Sequence, residues 1–180
     1  MNKGVKLAAS ILLGCSLFCS NVLAAESNIW QQVAQEQMID VNSNLLPRGI
    51  EIARNINIET RGRYIASSGV SITNEGYGVL GVYADTLAHV AVKKIKMTIY
   101  IDQWDEERED WSQVDSKSVT YEYEEGGETL NEVSESFLVE NLETEKYYRL
   151  RGLHAVWSFD GYIETQATIT NGILLTNGPA

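Results

Sequence analysis

The stretch IKMTIYID, residues 95–102, decides the fold class of this chain. Ile95, Met97, Ile99 and Ile101 alternate with polar or aromatic residues. Successive side chains of a strand point to opposite faces, so this two-residue period places one face in a core and the other towards solvent. The stretch therefore predicts a half-buried β-strand.

Segments with the same period lie on both sides of this strand. Each is bounded by short acidic or glycine-containing turns, and no helix of normal length competes with them. The predicted strands occupy residues 64–73, 78–86, 95–101, 111–123, 133–139, 147–157 and 162–175. About seven strands with frequent turns predict an all-β chain, an antiparallel sandwich of the immunoglobulin or fibronectin III-like kind.

The segment LETEKYYRL, residues 142–150, resembles the entry to the penultimate strand of fibronectin type III-like domains. In those domains a leucine is followed six residues later by a tyrosine that turns the chain between the two sheets. Leu142 and Tyr148 have this spacing, which implies that Tyr148 is a tyrosine corner. An ordinary strand tyrosine is the alternative.

The Asp-Gly pair at 160–161 predicts a two-residue type I′ turn in the last hairpin. In that register Trp157 faces Glu164 and His154 faces Ala167. Cross-strand partners share a face of the sheet. The inward face then consists of Tyr148, Leu150, Gly152, His154, Val156, Ile163, Ala167 and Ile169.

Residues 1–24 have the plan of a secretory signal peptide, with two early lysines, an apolar stretch, and Val22 and Ala24 before the cleavage point. The stretch is too interrupted to be a transmembrane anchor, and none is expected after cleavage. The alternative is a lipoprotein, because LLGC at 12–15 resembles a lipobox with Cys15 as the lipidated residue. We expect a weakly ordered leader or short helix at 25–60, the sandwich at 61–176 and a tail at 177–180.

The net charge and the cysteine content limit the classes of function that the chain can have. Cleavage removes both cysteines and two lysines, so the mature chain has no disulfide and its net charge changes from −11 to −13. An acidic chain lacks the basic patch that binds phosphate, which argues against a nucleic-acid partner.

Catalysis is not predicted. The mature chain has no cysteine, no Gly-x-Ser-x-Gly motif and no cofactor motif, and only His89 and His154 are available as a base. His154 is predicted to be a hydrogen-bonded core residue. We expect a protein without a cofactor that is not an enzyme, with a small carbohydrate-active enzyme as the less favoured alternative.

The acidic run at 105–110 is the candidate metal site. Asp105, Glu107 and Glu109 supply hard oxygen atoms that suit calcium. The spacing is not that of an EF-hand, and charge runs are usually solvated loops. A solvated hairpin tip is therefore the favoured interpretation, and no metal is expected.

The outward aromatic residues are the candidate binding site. If Ile95 to Ile101 face the core, Tyr100 and Trp104 face outward, and Trp111 lies across the hairpin loop from them. Tyr147 and Arg149 belong to a strand expected to run beside this one. Such a group could stack on a sugar ring or anchor a cell-surface protein. Alternatively, the tryptophans cover a sheet edge or pack under the leader.

The segments YYRLRGLH at 147–154, TNGIL at 170–174 and YIDQW at 100–104 resemble a family of small secreted proteins from Gram-positive gut and clostridial bacteria. That family is catalogued as a domain of unknown function, and the resemblance extends over residues 61–176. It implies secretion and one β-rich domain, without an activity or a ligand. The outward tryptophans Trp104 and Trp111 favour an extracellular binding module. The weakly patterned segment at 25–47 favours the alternative, a structural protein that self-assembles at the cell surface.

Overall fold

The computed structural model describes residues 43–58 and 62–179. By backbone contacts the chain divides into Met1–Glu36 and Gln37–Ala180, and every described residue belongs to the second unit. The predicted signal segment, the Cys15 alternative and residues 25–42 of the leader lie outside the described residues. Within the described ranges, no helix is long and apolar enough to cross a membrane.

In residues 43–58 and 62–179, nine strands form two antiparallel sheets. The first sheet has the order β1-β2-β3-β6, and the second has the order β5-β4-β7-β8, with β9 also paired to β7. The strands are β1 (Ile52–Ile58), β2 (Ile65–Gly76), β3 (Val79–Ala88), β4 (Lys94–Asp105), β5 (Asp110–Glu122), β6 (Glu132–Val139), β7 (Lys146–Trp157), β8 (Ile163–Ile169) and β9 (Ile173–Leu175). The prediction of an all-β antiparallel sandwich is confirmed, with nine strands rather than about seven.

The core lies between the two sheets, and β4 supplies its centre. Ile95, Met97, Ile99 and Ile101 are completely buried, as their alternation predicts. β4 is flanked by β5 on one side and β7 on the other, which brings Leu150 opposite Ile101. The first sheet covers this layer with Ile72, Leu80, Val82 and Ala84.

The strand β1 lies inside the segment that the sequence assigned to a leader. It pairs with β2 along its whole length. Upstream of it, Leu45 forms a parallel bridge with Gly172, and the Leu46 amide donates to the Gly172 carbonyl at 2.9 Å. The ordered sandwich therefore begins well before residue 61.

The last hairpin is shifted by one residue from the predicted register. His154 faces Gln166 and Trp157 faces Ile163, so the prediction of a two-residue turn was wrong. The loop has five residues, 158–162, because the Ser158 amide donates to the Tyr162 carbonyl at 2.9 Å and closes it. As a result Gln166 and Thr168 are the buried residues of β8, while Ile163, Ala167 and Ile169 are not buried.

A row of polar side chains crosses the core beside this hairpin. His154 is fully buried, as predicted, and its ring nitrogens contact the hydroxyl groups of Thr86 at 2.8 Å and Thr168 at 2.9 Å. The Ser68 hydroxyl donates to the side-chain amide oxygen Oε1 of Gln166 at 2.5 Å. In the described part of the chain, every buried side-chain nitrogen and oxygen has a hydrogen-bond partner. Buried polar side chains can be accommodated in a core when each has a hydrogen-bond partner.

Tyr148→Phe is expected to lower the free energy of unfolding by about 1 kcal/mol, the usual contribution of one buried hydrogen bond. Tyr148 is buried, and its hydroxyl donates to the Glu143 carbonyl at 3.0 Å, the contact expected of a tyrosine corner. Burial also raises the pKa of Tyr148 to about 12. Urea unfolding measures the loss, with the partly exposed Tyr147→Phe as the control. Equal losses at both positions would contradict the corner.

Candidate functional site on the outer face of the five-stranded sheet

The outer face of the second sheet carries the predicted aromatic residues in register. Trp104 of β4 faces Trp111 of β5, and their ring centroids are 5.3 Å apart in a T-shaped arrangement. Tyr100 faces Arg151 of β7. Tyr147 and Arg149 follow the same alternation on β7, so all five predicted site residues share this face.

A buried carboxylate organises the face, and sequence analysis did not identify it. Asp102 is 1% exposed and lies between two arginines of β7. Its Oδ2 accepts from Arg149 Nε at 2.9 Å and from Arg151 Nε at 2.7 Å, and its Oδ1 accepts from Arg151 Nη2 at 2.9 Å. One carboxylate thus binds two guanidinium groups, which fixes both over the sheet.

The two arginines extend across the aromatic rings. The Arg149 guanidinium lies 4.6 Å from the centroid of Trp111, and that of Arg151 lies 5.1 Å from the centroid of Tyr100. Burial lowers the pKa of Arg149, while the hydrogen bond to Asp102 acts in the opposite direction. Burial raises the pKa of the Tyr100 hydroxyl, and the positive charge of Arg151 acts in the opposite direction. These contacts immobilise the side chains of the face.

Trp111 is a structural member of this group. A Cβ atom on Gly172 would lie 2.6 Å from Trp111 Cη2, so the indole packs directly on the backbone there. The same Cβ would lie 3.3 Å from Leu45, and Arg149 Nη1 donates to the Ser43 hydroxyl at 3.2 Å. Trp111 therefore lies beside the segment that the sequence assigned to the leader, as the alternative interpretation of the tryptophans predicted.

Trp104 borders an open cleft of about 380 Å³ where the β4–β5 hairpin meets the loop before β7. Indole, carboxylate, amide, hydroxyl and ammonium groups all line it: Gln103, Trp104, Asp105, Glu106, Glu107, Ser112, Glu143 and Lys146. Gln103 Nε2 donates to Glu143 Oε2 at 3.3 Å and joins the hairpin to that loop. The cleft thus combines one apolar ring with several hydrogen-bonding groups.

The acidic hairpin tip is a turn closed by its own carboxylate. Asp105 Oδ1 accepts the backbone amides of Glu107 at 3.0 Å and Arg108 at 3.2 Å. Across residues 43–58 and 62–179, no three histidine, cysteine, aspartate or glutamate side chains are grouped so that they could hold a metal ion. The candidate calcium ligands Asp105, Glu107 and Glu109 are therefore not assembled into a site.

The chain belongs to the family described as "Family of unknown function (DUF6147)", whose model matches residues 52–173. The expected membership of a family of unknown function is confirmed, and the match includes β1. No curated protein matches the chain.

Among solved structures, the chain is similar to the crystal structure of Spo0M, a sporulation control protein from Bacillus subtilis. The sequence identity is 7% and the TM-score is 0.29. The match covers 70% of this chain and 49% of Spo0M, so the chain spans about half the length of that protein.

Proposed function

We propose that this chain is a secreted, non-catalytic β-sandwich module that binds a glycan in the cleft beside Trp104. The observation that carries the proposal is the composition of the cleft. An indole ring at its edge provides a flat apolar surface for the C–H face of a sugar, and the surrounding side chains provide donors and acceptors for its hydroxyl groups.

The rigidity of Trp104 supports this role. The ring packs edge-on against Trp111, which is held in turn by Arg149 and by the backbone at Gly172. An aromatic side chain that is already immobilised loses little conformational entropy when a ligand stacks on it. Trp104 is thus the ligand-contacting ring, and Trp111 supports it.

The charge of the cleft restricts the kind of glycan. Four carboxylates line it, at Asp105, Glu106, Glu107 and Glu143, against the single ammonium group of Lys146. A polyanionic polysaccharide would be repelled by this lining and by the net charge of −13 expected for the chain after cleavage, with 12 basic and 25 acidic residues. Neutral sugars or amino sugars are the favoured ligands.

Secretion is part of the proposal and rests on the pattern of residues 1–24. A glycan of a cell surface would be reached after export and removal of this segment. Lipidation at Cys15 would instead keep the module on the producing cell. The mass of the exported protein distinguishes the two, because the lipoprotein would begin at Cys15 and carry acyl chains.

Trp104→Ala is expected to weaken retention by neutral polysaccharides at least about tenfold in affinity electrophoresis, because the stacking surface is lost. Phe159→Ala, which removes an exposed ring at the other end of the sandwich, is the control and should bind normally. The bound polysaccharide should be recovered uncleaved. Normal retention of Trp104→Ala would refute the site, and release of shorter sugars would indicate an enzyme.

Self-assembly is the second candidate, and β1 is the observation that favours it. β1 is an edge strand, and Ile52, Ile56 and Ile58 on its outer face are each more than half exposed. Exposed apolar edge strands are surfaces on which another chain can pair. Arg54 is the only charged residue of β1, so a second copy that paired with this strand would meet no carboxylate on it.

A further inference from the structure

The loop at 158–162 presents two exposed aromatic side chains on a fixed frame. The Tyr162 amide donates to the Ser158 hydroxyl oxygen at 2.9 Å, and the Gly161 amide donates to the Ser158 carbonyl at 3.2 Å. The Ser158 hydroxyl also contacts the Asp160 carboxylate. Gly161 has a φ of 85°, which favours glycine at this turn. Phe159 and Tyr162 are therefore held in place although both are exposed.

One side of this loop already holds an arginine. The Arg63 guanidinium lies 5.1 Å from the centroid of Tyr64 and 5.4 Å from that of Tyr162. Its Nη2 is 3.2 Å from Asp160 Oδ2, and the Tyr64 hydroxyl donates to the same carboxylate at 3.0 Å. Two rings and one carboxylate are thus the local arrangement that accommodates a guanidinium group.

The other side of the loop carries a second pair of aromatic rings. Phe159 packs edge-on against Tyr123, with ring centroids 5.2 Å apart, and the two side chains are 57% and 36% exposed. Glu124 and Glu125 directly follow Tyr123 in the chain, and both are exposed. Two exposed rings beside exposed carboxylates are thus present on this side of the loop as well.

We propose that the Tyr123–Phe159 pair anchors an arginine side chain from an exposed basic segment of a partner protein. Arginine fits better than lysine because its planar, weakly hydrated guanidinium stacks on aromatic faces. The exposed glutamates beside Tyr123 and the net charge of −13 expected for the mature chain, with 12 basic and 25 acidic residues, complement a basic segment. The site is independent of the proposed glycan cleft, since the two lie at opposite ends of β4, roughly 35 Å apart for a strand of this length.

Two peptides of equal charge test the proposal. Each carries a fluorescent label and three basic residues separated by glycine and serine, one with arginine and one with lysine. Fluorescence anisotropy should show tighter binding of the arginine peptide to the full mature protein, and Phe159→Ala should weaken that binding about fivefold. Tyr83→Ala removes another exposed ring, from the first sheet, and should leave the binding of the arginine peptide unchanged. Trp104→Ala should also bind the peptide normally, which separates this test from that of the cleft.

Two results would overturn the proposal. Equal binding of both peptides, with no effect of Phe159→Ala, would show that only the net charge attracts them. Alternatively, sedimentation could show that Phe159→Ala abolishes self-association of the protein while peptide binding is unchanged, which would assign the rings to a second copy of this chain. Circular dichroism should show that every variant is folded, as expected for changes at exposed positions.

Discussion

Asp102→Asn is expected to lower the free energy of unfolding by about 3 kcal/mol. The change removes the negative charge that Arg149 and Arg151 both bind, and the side chains of these arginines are largely buried. Removing one partner of a buried ion pair typically costs about 3–5 kcal/mol, because the remaining charge stays desolvated. The lower end applies here, since both arginines keep some contact with water and the asparagine oxygen can still accept one hydrogen bond.

Asp110→Asn is the matched control, because Asp110 is an exposed acid whose charge also acts on Arg149. Its neutralisation should change stability by less than about 0.5 kcal/mol, as for other surface charges. Urea unfolding of both variants at neutral pH measures the difference. A loss below about 1 kcal/mol for Asp102→Asn would mean that the arginines find other partners and that the carboxylate does not organise the face.

The strand that sequence analysis located most clearly is β4, whose inner face is entirely apolar. Ile95, Met97, Ile99 and Ile101 alternate without interruption, and burial of such a face is the main driving force for the sheet. β1 was missed for the opposite reason. Its inner positions are Ala53, Asn55 and Asn57, while its isoleucines face outward, so a period of two is present but points away from the core.

The last hairpin was mispredicted because a local preference was outweighed by side-chain hydrogen bonds. Asp-Gly favours a two-residue turn, but Ser158 provides both a backbone and a hydroxyl partner for Tyr162 and closes a longer loop. Moreover, β8 directs Gln166 and Thr168 inward, where their polar groups bond to Ser68 and His154. Hydrophobicity alone could not predict that register.

The candidate site was only partly accessible to sequence analysis. Alternation along β4 placed Tyr100 and Trp104 on the outer face, and the neighbouring strand brought Arg149 to them. The same alternation places Asp102 between them and gives Arg149 and Arg151 one face, which was the available signal for the ion cluster. The packing of Trp111 on Gly172 depends on a contact between distant segments, and no local pattern reports it.

Stability is expected to fall by about 2 kcal/mol between pH 7 and pH 5 because of His154. Burial lowers the pKa of its imidazole to about 3, and the groups bonded to it, Thr86 and Thr168, are uncharged. In the unfolded chain the pKa is close to 6.5. The unfolded state therefore binds one more proton than the folded state below pH 6.5, and each pH unit then costs about 1.4 kcal/mol.

Burial raises the pKa of Asp85, and its protonation in the folded state acts against the loss, so substitution of His154 rather than the pH range alone identifies the group responsible. Glu135 and Asp160 have lowered pKa values, so the stability that they contribute is lost only as the pH falls below the ordinary carboxyl pKa of about 4. His154→Gln should remove most of the slope in urea unfolding at pH 7, 6 and 5, whatever its stability at pH 7. His89→Gln changes the exposed histidine and should keep the slope. An unchanged slope in His154→Gln would show that other groups take up the proton on unfolding, and that the buried polar row does not make the sandwich acid-sensitive.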